Sequence, residues 1–217
     1  MASAANPNAR PVKQERSRKT LERLLDAAEA LLEELGPDGA TVPAIARRSG
    51  LSVGVVYRRF PDKDALLRGV YERFFTRSRE TNRAALDPAR WTGRTAEQIL
   101  RAVVPGMVSA YRLRGRLLGA LLLYADTHPD PNFRRRADRL NREAFEGIAA
   151  LLLARRHEIR HPHPEKAIPL VLLAVGSLLR TLLCSSGARP LAGSDKLPDE
   201  LTRLCVRYLG VKSGGSA

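Results

Sequence analysis

Residues 41–64, TVPAIARRSGLSVGVVYRRFPDKD, place two helix starts, Thr41 and Ser52, on either side of one glycine turn at Gly50. Few architectures use helices so short and so close. Both caps carry a side-chain oxygen that accepts from the open amides of the next turn, and Pro43 is tolerated because first-turn amides lack helical partners. Val42, Ile45 and Ala46 share one side of the first helix, with Arg47 and Arg48 outside. Gly50 supplies the permissive backbone of the turn. A second helix is predicted from Val53 to about Arg59, with Val56 and Phe60 packing inward and an outer face polar enough for a major groove. Asp62 caps a third, whose first turn carries Lys63. The pattern predicts a helix-turn-helix.

Thr41, Ile45-Ala46, Gly50-Leu51-Ser52, Gly54, Tyr57, Phe60, Lys63 and Leu66-Leu67 together resemble the N-terminal signature of TetR/AcrR-family transcriptional regulators. The match is strong over roughly residues 17–70 and architectural beyond them. The resemblance implies a three-helix DNA-binding domain, then a helical ligand-binding and dimerisation domain, and usually repression relieved by a small molecule. Two positions depart from the family's pattern. Val55 stands where Thr or a similar polar residue is frequent, and Arg58 where an aromatic is, which alters the base-reading pattern and hence the operator.

Chemistry sorts the expected DNA-binding residues. Tyr57, Thr41 and Lys63 are candidates for phosphate, since a phenol, a hydroxyl beside open helix amides and an ammonium bind charge without reading sequence. Val53, Val55 and either Arg58 or Arg59 are candidates for base edges, as methyls meet a thymine methyl and a guanidinium grips guanine O6 and N7. Ser52 caps the reading helix and Gly54 lets the backbone come close. The competing reading for Tyr57 is packing beneath the helix, and for one arginine a merely solvated role. The basic run Lys13, Arg16, Arg18 and Lys19 either lies along phosphates or enters the minor groove, or is solvated.

Leu, Ala, Arg and Glu dominate the 217 residues while aromatics and β-branched residues are sparse, so the expected fold is all-α, with about nine helices and no strands. The expected organisation is a disordered leader over 1–12, the helix-turn-helix domain over 13–61, a connecting helix over 62–86, an effector-binding and dimerisation domain over 87–210, and a disordered tail over 211–217. Leucines from Leu21 to Leu35 recur at helical spacing until Gly36-Pro37-Asp38-Gly39 ends the first helix. Residues 87–94 read as a loop and Thr95-Ala96-Glu97-Gln98 as a capping box opening helix five, which Pro105-Gly106 should bend. Further helices are predicted at Leu117–Tyr124, at Phe133–Ile159, from Pro164 to near Ser186, and around Leu201, Leu204, Cys205 and Tyr208, closed by Gly210. The last two are apolar over more of their circumference than surface helices need, particularly Leu170 to Leu183; the family resemblance implies that they form a two-fold homodimer, and burial within a monomer is the competing reading.

An effector cavity is expected between helix five and the helices beginning near Leu117, Phe133 and Pro164, lined by Met107, Tyr111, Tyr124, His128, Phe145 and Arg180. Each of these is also explicable as plain core or surface. Few acidic groups accompany them, which favours a neutral or anionic ligand. No cofactor is expected. His157, His161 and His163 lack an obvious fourth ligand, so no metal site is expected. The net charge of +14 suits a polyanionic partner, yet residues 1–86 hold 16 Lys and Arg against 11 Asp and Glu, with 21 against 12 beyond them. Most of the excess thus lies outside the DNA motif, and Arg112, Arg114, Arg116, Arg134 to Arg136, Arg139 and Arg142 read as solvated faces.

Cys184 and Cys205 have no CxxC spacing and read as buried thiols in a reducing compartment. With no signal-peptide core, and no apolar run of the roughly 20 residues that span a bilayer, a cytoplasmic protein is expected. An enzyme is the main rival, but GxGxxG, P-loop, GxSxG and HExxH patterns are missing. The other rival, an architectural DNA-binding protein, leaves the large C-terminal segment without a task.

Overall fold

In the computed structural model, residues 9–184 and 193–212 are described, and every cap in the motif closes as its chemistry requires. Eight α-helices occur among them: α1 (Ala9–Gly39), α2 (Val42–Ser49), α3 (Val53–Arg59), α4 (Lys63–Ala85), α5 (Ala96–Thr127), α6 (Pro131–Leu153), α7 (Pro164–Cys184) and α8 (Leu197–Leu209). The chain divides into two units, Met1–Arg73 and Phe74–Ala217, with the boundary inside α4. No strand occurs among the described residues, only a single antiparallel bridge between Ile159 and Val211.

In the first unit, α1 presents Leu24, Ala28, Leu31 and Leu32 to a small core shared with Ile45, Val56, Leu66 and Val70. α1 starts at Ala9, inside the leader expected over 1–12; residues 1–8 of that leader lie outside the described residues. Its end matches the expected stop, for Gly36 leaves helical geometry at φ 73°, ψ −173° before a final turn containing Pro37. The N-terminal end of α4 is held by the Asp62 carboxylate, which accepts from the Ala65 amide at 2.7 Å.

One cation ties α4 to α1. The Arg73 guanidinium, largely buried, meets Glu22 at 3.1 Å, Asp26 at 2.8 Å and Glu29 at 2.7 Å, three acids on successive turns of α1. Glu29 is itself buried, and the guanidinium lying on it offsets much of the cost of taking its charge out of water.

The second unit is built around α5, which packs against α6, α7 and α8. Ile99, Leu100, Val104, Leu152, Ile168 and Leu172 form the centre of its core. The expected capping box is present: the Gln98 amide donates to Thr95 Oγ1 at 3.2 Å and the Thr95 amide donates to Gln98 Oε1 at 3.2 Å. Pro105 and Gly106 keep helical backbone geometry. Helical geometry is lost at Arg114 (φ −138°, ψ 35°) instead, so the two helices expected on either side of Leu117 run as one broken helix. Gly115, next to the break, is buried while Arg112, Leu113, Arg114 and Arg116 are exposed, and glycine within a helix costs about 1 kcal/mol relative to alanine. That merger brings the helices among the described residues to eight.

Three other boundaries differ. The helix expected to run to Ile159 ends at Leu153, and a 3-10 turn covers Arg156–Glu158. A further 3-10 turn, Pro88–Trp91, occupies the expected loop. The last helix begins at Leu197, because Pro198 is permitted in its first turn. The disordered tail expected over 211–217 is contradicted at its start: Val211 is buried, and the Arg160 and His161 amides donate to the carbonyls of Gly210 and Leu209 at 3.1 Å each. Residues 213–217 lie outside the described residues, as do Ser186 and the side chain of Cys184. No helix among the described residues is long and apolar enough to cross a membrane.

Replacing Arg73 by Met should destabilise the first unit by about 3 kcal/mol, since the buried Glu29 carboxylate loses the cation that offsets its desolvation. Urea unfolding checks this, and a loss below about 1 kcal/mol would show the clamp to be dispensable. Burial pushes the Cys205 thiol up to about 11. The unfolded thiol ionises near its ordinary value first, so the folded state holds the proton longer, and stability falls as pH rises from about 9 to 11. Alkylation at Cys205, followed by mass, should require unfolding; fast labelling of native protein at pH 8 would contradict this.

Candidate nucleic-acid interface

α3 is seven residues long and is shaped by its ends. Ser52 Oγ accepts from the Val55 amide at 3.3 Å, and the Phe60 amide returns to the Val56 carbonyl at 2.8 Å. In front of it, Thr41 Oγ1 accepts from the Ala44 amide at 3.3 Å, and Gly50 adopts the left-handed conformation, φ 65°, that ends α2. The turn is therefore fixed by local hydrogen bonds and one glycine.

Only Val56 of α3 is fully buried. Ser52, Val53, Gly54, Tyr57, Arg58 and Arg59 are exposed, and Val55 is half-buried. Tyr57 is 50% exposed, so its ring does not pack beneath the helix. The solvent face of α3 thus offers methyl groups, a phenol and guanidinium groups, a set suited to thymine methyls, phosphates and guanine edges.

The two arginines differ in setting. Arg59 Nη1 donates to Ser17 Oγ on α1 at 3.0 Å, whereas Arg58 has no hydrogen bond or ion pair among the described residues. Lys63 is exposed and its Nζ donates to the Pro37 carbonyl at 3.0 Å, a bond that leaves two of three ammonium donors for another acceptor. Arg48 on α2 is engaged by Glu34 through two bonds of 2.5 and 2.6 Å, and that hydrogen-bonded carboxylate holds its guanidinium above the ordinary arginine range.

In the basic run of α1, Arg18 and Lys19 share Glu15 at 2.9 and 3.7 Å. The hydrogen bonds from Arg18 hold the Glu15 carboxyl below the usual range. Arg16 is left exposed, and the side chain of Lys13 lies outside those described. Sequence reasoning missed the partners Ser17 and Pro37, for which no local pattern exists. It also missed Arg73, although acids at 22, 26 and 29 trace one helical stripe that announces a cation.

The six expected effector contacts fall into three settings. Met107, Tyr111 and Phe145 pack, half-buried, against the core of the second unit, with Phe145 lying against Gly176 of α7. Tyr124 and His128 stack with Phe133 at centroid distances of 5.1 and 5.5 Å from Tyr124, and the buried His128 Nδ1 accepts from the Asp130 amide at 3.0 Å. Arg180 is exposed and paired with Asp126 at 3.0 Å.

The histidines expected not to form a metal site are dispersed in role. His161 stacks on Tyr208 at 5.3 Å, while His157 and His163 approach different glutamates. Among the described residues no group of three metal-ligating side chains is assembled. Several basic residues outside the motif are spent locally: Arg112 donates to the Ser194 carbonyl at 2.7 Å, and Arg134 to the His128 carbonyl at 2.5 Å.

Comparison with known proteins agrees with this geometry. Residues 24–70 match the family model of bacterial regulatory proteins, tetR family, and residues 95–209 match a tetracyclin repressor-like C-terminal domain. The HTH-type transcriptional regulator BetI of Escherichia coli O157:H7 is 29% identical over 176 residues, spanning 79% of this chain and 87% of that protein. BetI of Cronobacter sakazakii is 27% identical, spanning 72% and 74%. Among solved structures, a TetR-family regulator from Mesorhizobium loti superposes with a TM-score of 0.68 at 18% identity, covering 90% of this chain and 95% of that one. The regulator FadR of Bacillus subtilis, in complex with stearoyl-CoA, superposes with a TM-score of 0.65 at 17% identity, covering 86% and 98%. The matched C-terminal model spans more than half of the residues, and the capped reading helix lies within the matched N-terminal one: the chain belongs to the TetR family of bacterial regulators, DNA-binding proteins and not enzymes.

Proposed function

We propose that this chain is a repressor that holds a palindromic operator as a homodimer and releases it when a small neutral or anionic effector binds the second unit. The observation that carries this reading is the solvent face of α3, where Val53, Gly54, Tyr57 and Arg58 stand exposed on a helix capped at both ends. Thr41, Tyr57 and Lys63 contact phosphates, and Val53, Val55 and an arginine meet base edges. Ser52 fixes the helix and Gly54 admits the DNA backbone.

Dimerisation through α7 and α8 is supported by an unpartnered apolar face. Leu170, Leu173 and Leu178 on α7, and Leu204 and Tyr208 on α8, are each at least 40% exposed. Leucines at that density on a helix face favour burial against a second copy, and a two-fold pair also matches a palindromic site. For the effector, Met107, Tyr111 and Phe145 form the most continuous group; Tyr124, His128 and Arg180 are candidates at its margin. The Bacillus subtilis neighbour, solved with stearoyl-CoA, supports an apolar site that tolerates an anion. The working compartment is the cytoplasm, where operator and effector meet.

Footprinting tests the reading. One protected pair of two-fold related half-sites, about 34–36 Å apart or a multiple of that, is the expected result, while uniform coating would favour an architectural protein. Replacing Leu173 by Glu should raise the dimer Kd about a hundred-fold, the equivalent of about 3 kcal/mol for a charge at an apolar seam; sedimentation that stays dimeric would move the interface elsewhere. Lys63→Ala should weaken binding to all duplexes alike and reduce the salt slope by about one phosphate. An unchanged slope would remove Lys63 from the DNA contacts.

A further inference from the structure

The geometry points to a division of labour between the two arginines that end α3: Arg58 reads a guanine in each half-site, and Arg59 is a positioning residue that fixes α3 to α1 through Ser17. This rests on the reading of α3 as the groove helix. At about 100° per residue, the buried Val56 defines the inward direction of α3. Gly54 and Arg58 each stand about 160° from it, the two positions nearest the outward normal. Arg59 lies only about 60° away, on the flank that faces the protein, and Tyr57 and Val53 occupy the opposite flank.

The contacts agree with these directions. Arg59 spends Nη1 on Ser17 Oγ at 3.0 Å, across 42 residues of sequence. That bond joins a seven-residue helix, too short to be stable alone, to the longest helix of its unit. Arg58 leans the other way. Its Nη1 lies 3.9 Å from the point where a Cβ on Gly54 would sit, and Ser52 Oγ lies 4.0 Å from that point. Helical side chains lean toward the N-terminus, and the N-terminal end of a recognition helix is the part that reaches base edges. A guanidinium laid over Gly54 is therefore carried forward along the face that enters the groove, with both terminal amino groups available for guanine O6 and N7.

Gly54 itself supports the assignment. Its φ is not in the left-handed range, and a Cβ there meets nothing closer than ordinary van der Waals contact. Nothing within the chain demands glycine, although it weakens a short helix. The clearance it leaves is used by the Arg58 side chain and by whatever approaches α3.

The test is selection of bound duplexes from a random pool by full-length wild type, Arg58→Ala, Arg58→Lys, Arg59→Ala, Ser17→Ala, Ser17→Thr and Gly54→Ala, with melting curves on each. Wild type should enrich one guanine per half-site. Both Arg58 variants should lose that preference alone and bind the wild-type site about ten- to a hundred-fold more weakly; Lys retains the charge but not the fork. Arg59→Ala and Ser17→Ala should keep the guanine and weaken every sequence by one common factor, with the double variant no worse than Arg59→Ala, and Ser17→Thr should restore wild-type binding. Gly54→Ala should melt higher yet bind the selected site more weakly. The assignment is overturned if Arg59→Ala changes the preferred base and Arg58→Ala does not, or if the Ser17 and Arg59 losses add independently. A wild-type protein that selects no sequence would instead overturn the groove reading of α3 beneath it.

Discussion

The contact on which the DNA-binding unit most depends is the set of ion pairs at Arg73, where one guanidinium holds Glu22, Asp26 and Glu29 along three turns of α1. Apolar packing in so small a unit supplies little surplus over chain entropy, and it does not by itself set the rotation of α4. A planar fork with fixed donors does, since each carboxylate must be met along its own direction. Replacing the whole set by apolar side chains could match its stability, but losing only the cation removes the charge that compensates a buried Glu29. The clamp acts on orientation more than on net free energy.

What the amino-acid sequence discloses here, and what it withholds, follows from the range of each interaction. The caps at Thr41, Ser52, Asp62 and Thr95 were legible because each is closed by an amide three residues away. The exposed face of α3 was legible because helical periodicity sorts seven residues around one buried valine. Pro105 was the obvious candidate for a bend, yet α5 stays helical there and breaks at Arg114. Gly115 beside the break weakens the helix as Gly106 beside Pro105 does, so local propensity does not choose between the two places. The clasp between residues 158–161 and 209–212 is invisible for the same reason, its partners being some fifty residues apart.

The effector site was the least legible. Met107 and Tyr111 share a helical face, so their common setting follows from spacing, but whether Tyr124, His128 or Arg180 joins them depends on how α5 crosses α6 and α7. The structure puts His128 to local use, capping the Asp130 amide between two aromatic rings, and pairs Arg180 with Asp126. Side chains that looked available from type alone are thus already occupied. Charge misleads in the same way, because arginines such as Arg112 and Arg155 bind carbonyls of their own unit and contribute to the formal charge without making a surface for a polyanion.

Magnitudes constrain how any effector signal reaches α3. Couplings between sites in regulators are commonly about 1–3 kcal/mol, whereas parting Arg73 from a buried Glu29 costs about 3–5 kcal/mol. A signal of ordinary size therefore cannot pass by opening the clamp. It has to move α4 with the clamp closed, and α1, joined at Arg73, must follow. α3 is tied to α1 through Arg59 and Ser17, and α4 to the end of α1 through Lys63 and Pro37. Within the first unit, the clamp and these two bonds hold the reading helix to α1 and α4 as parts of one body.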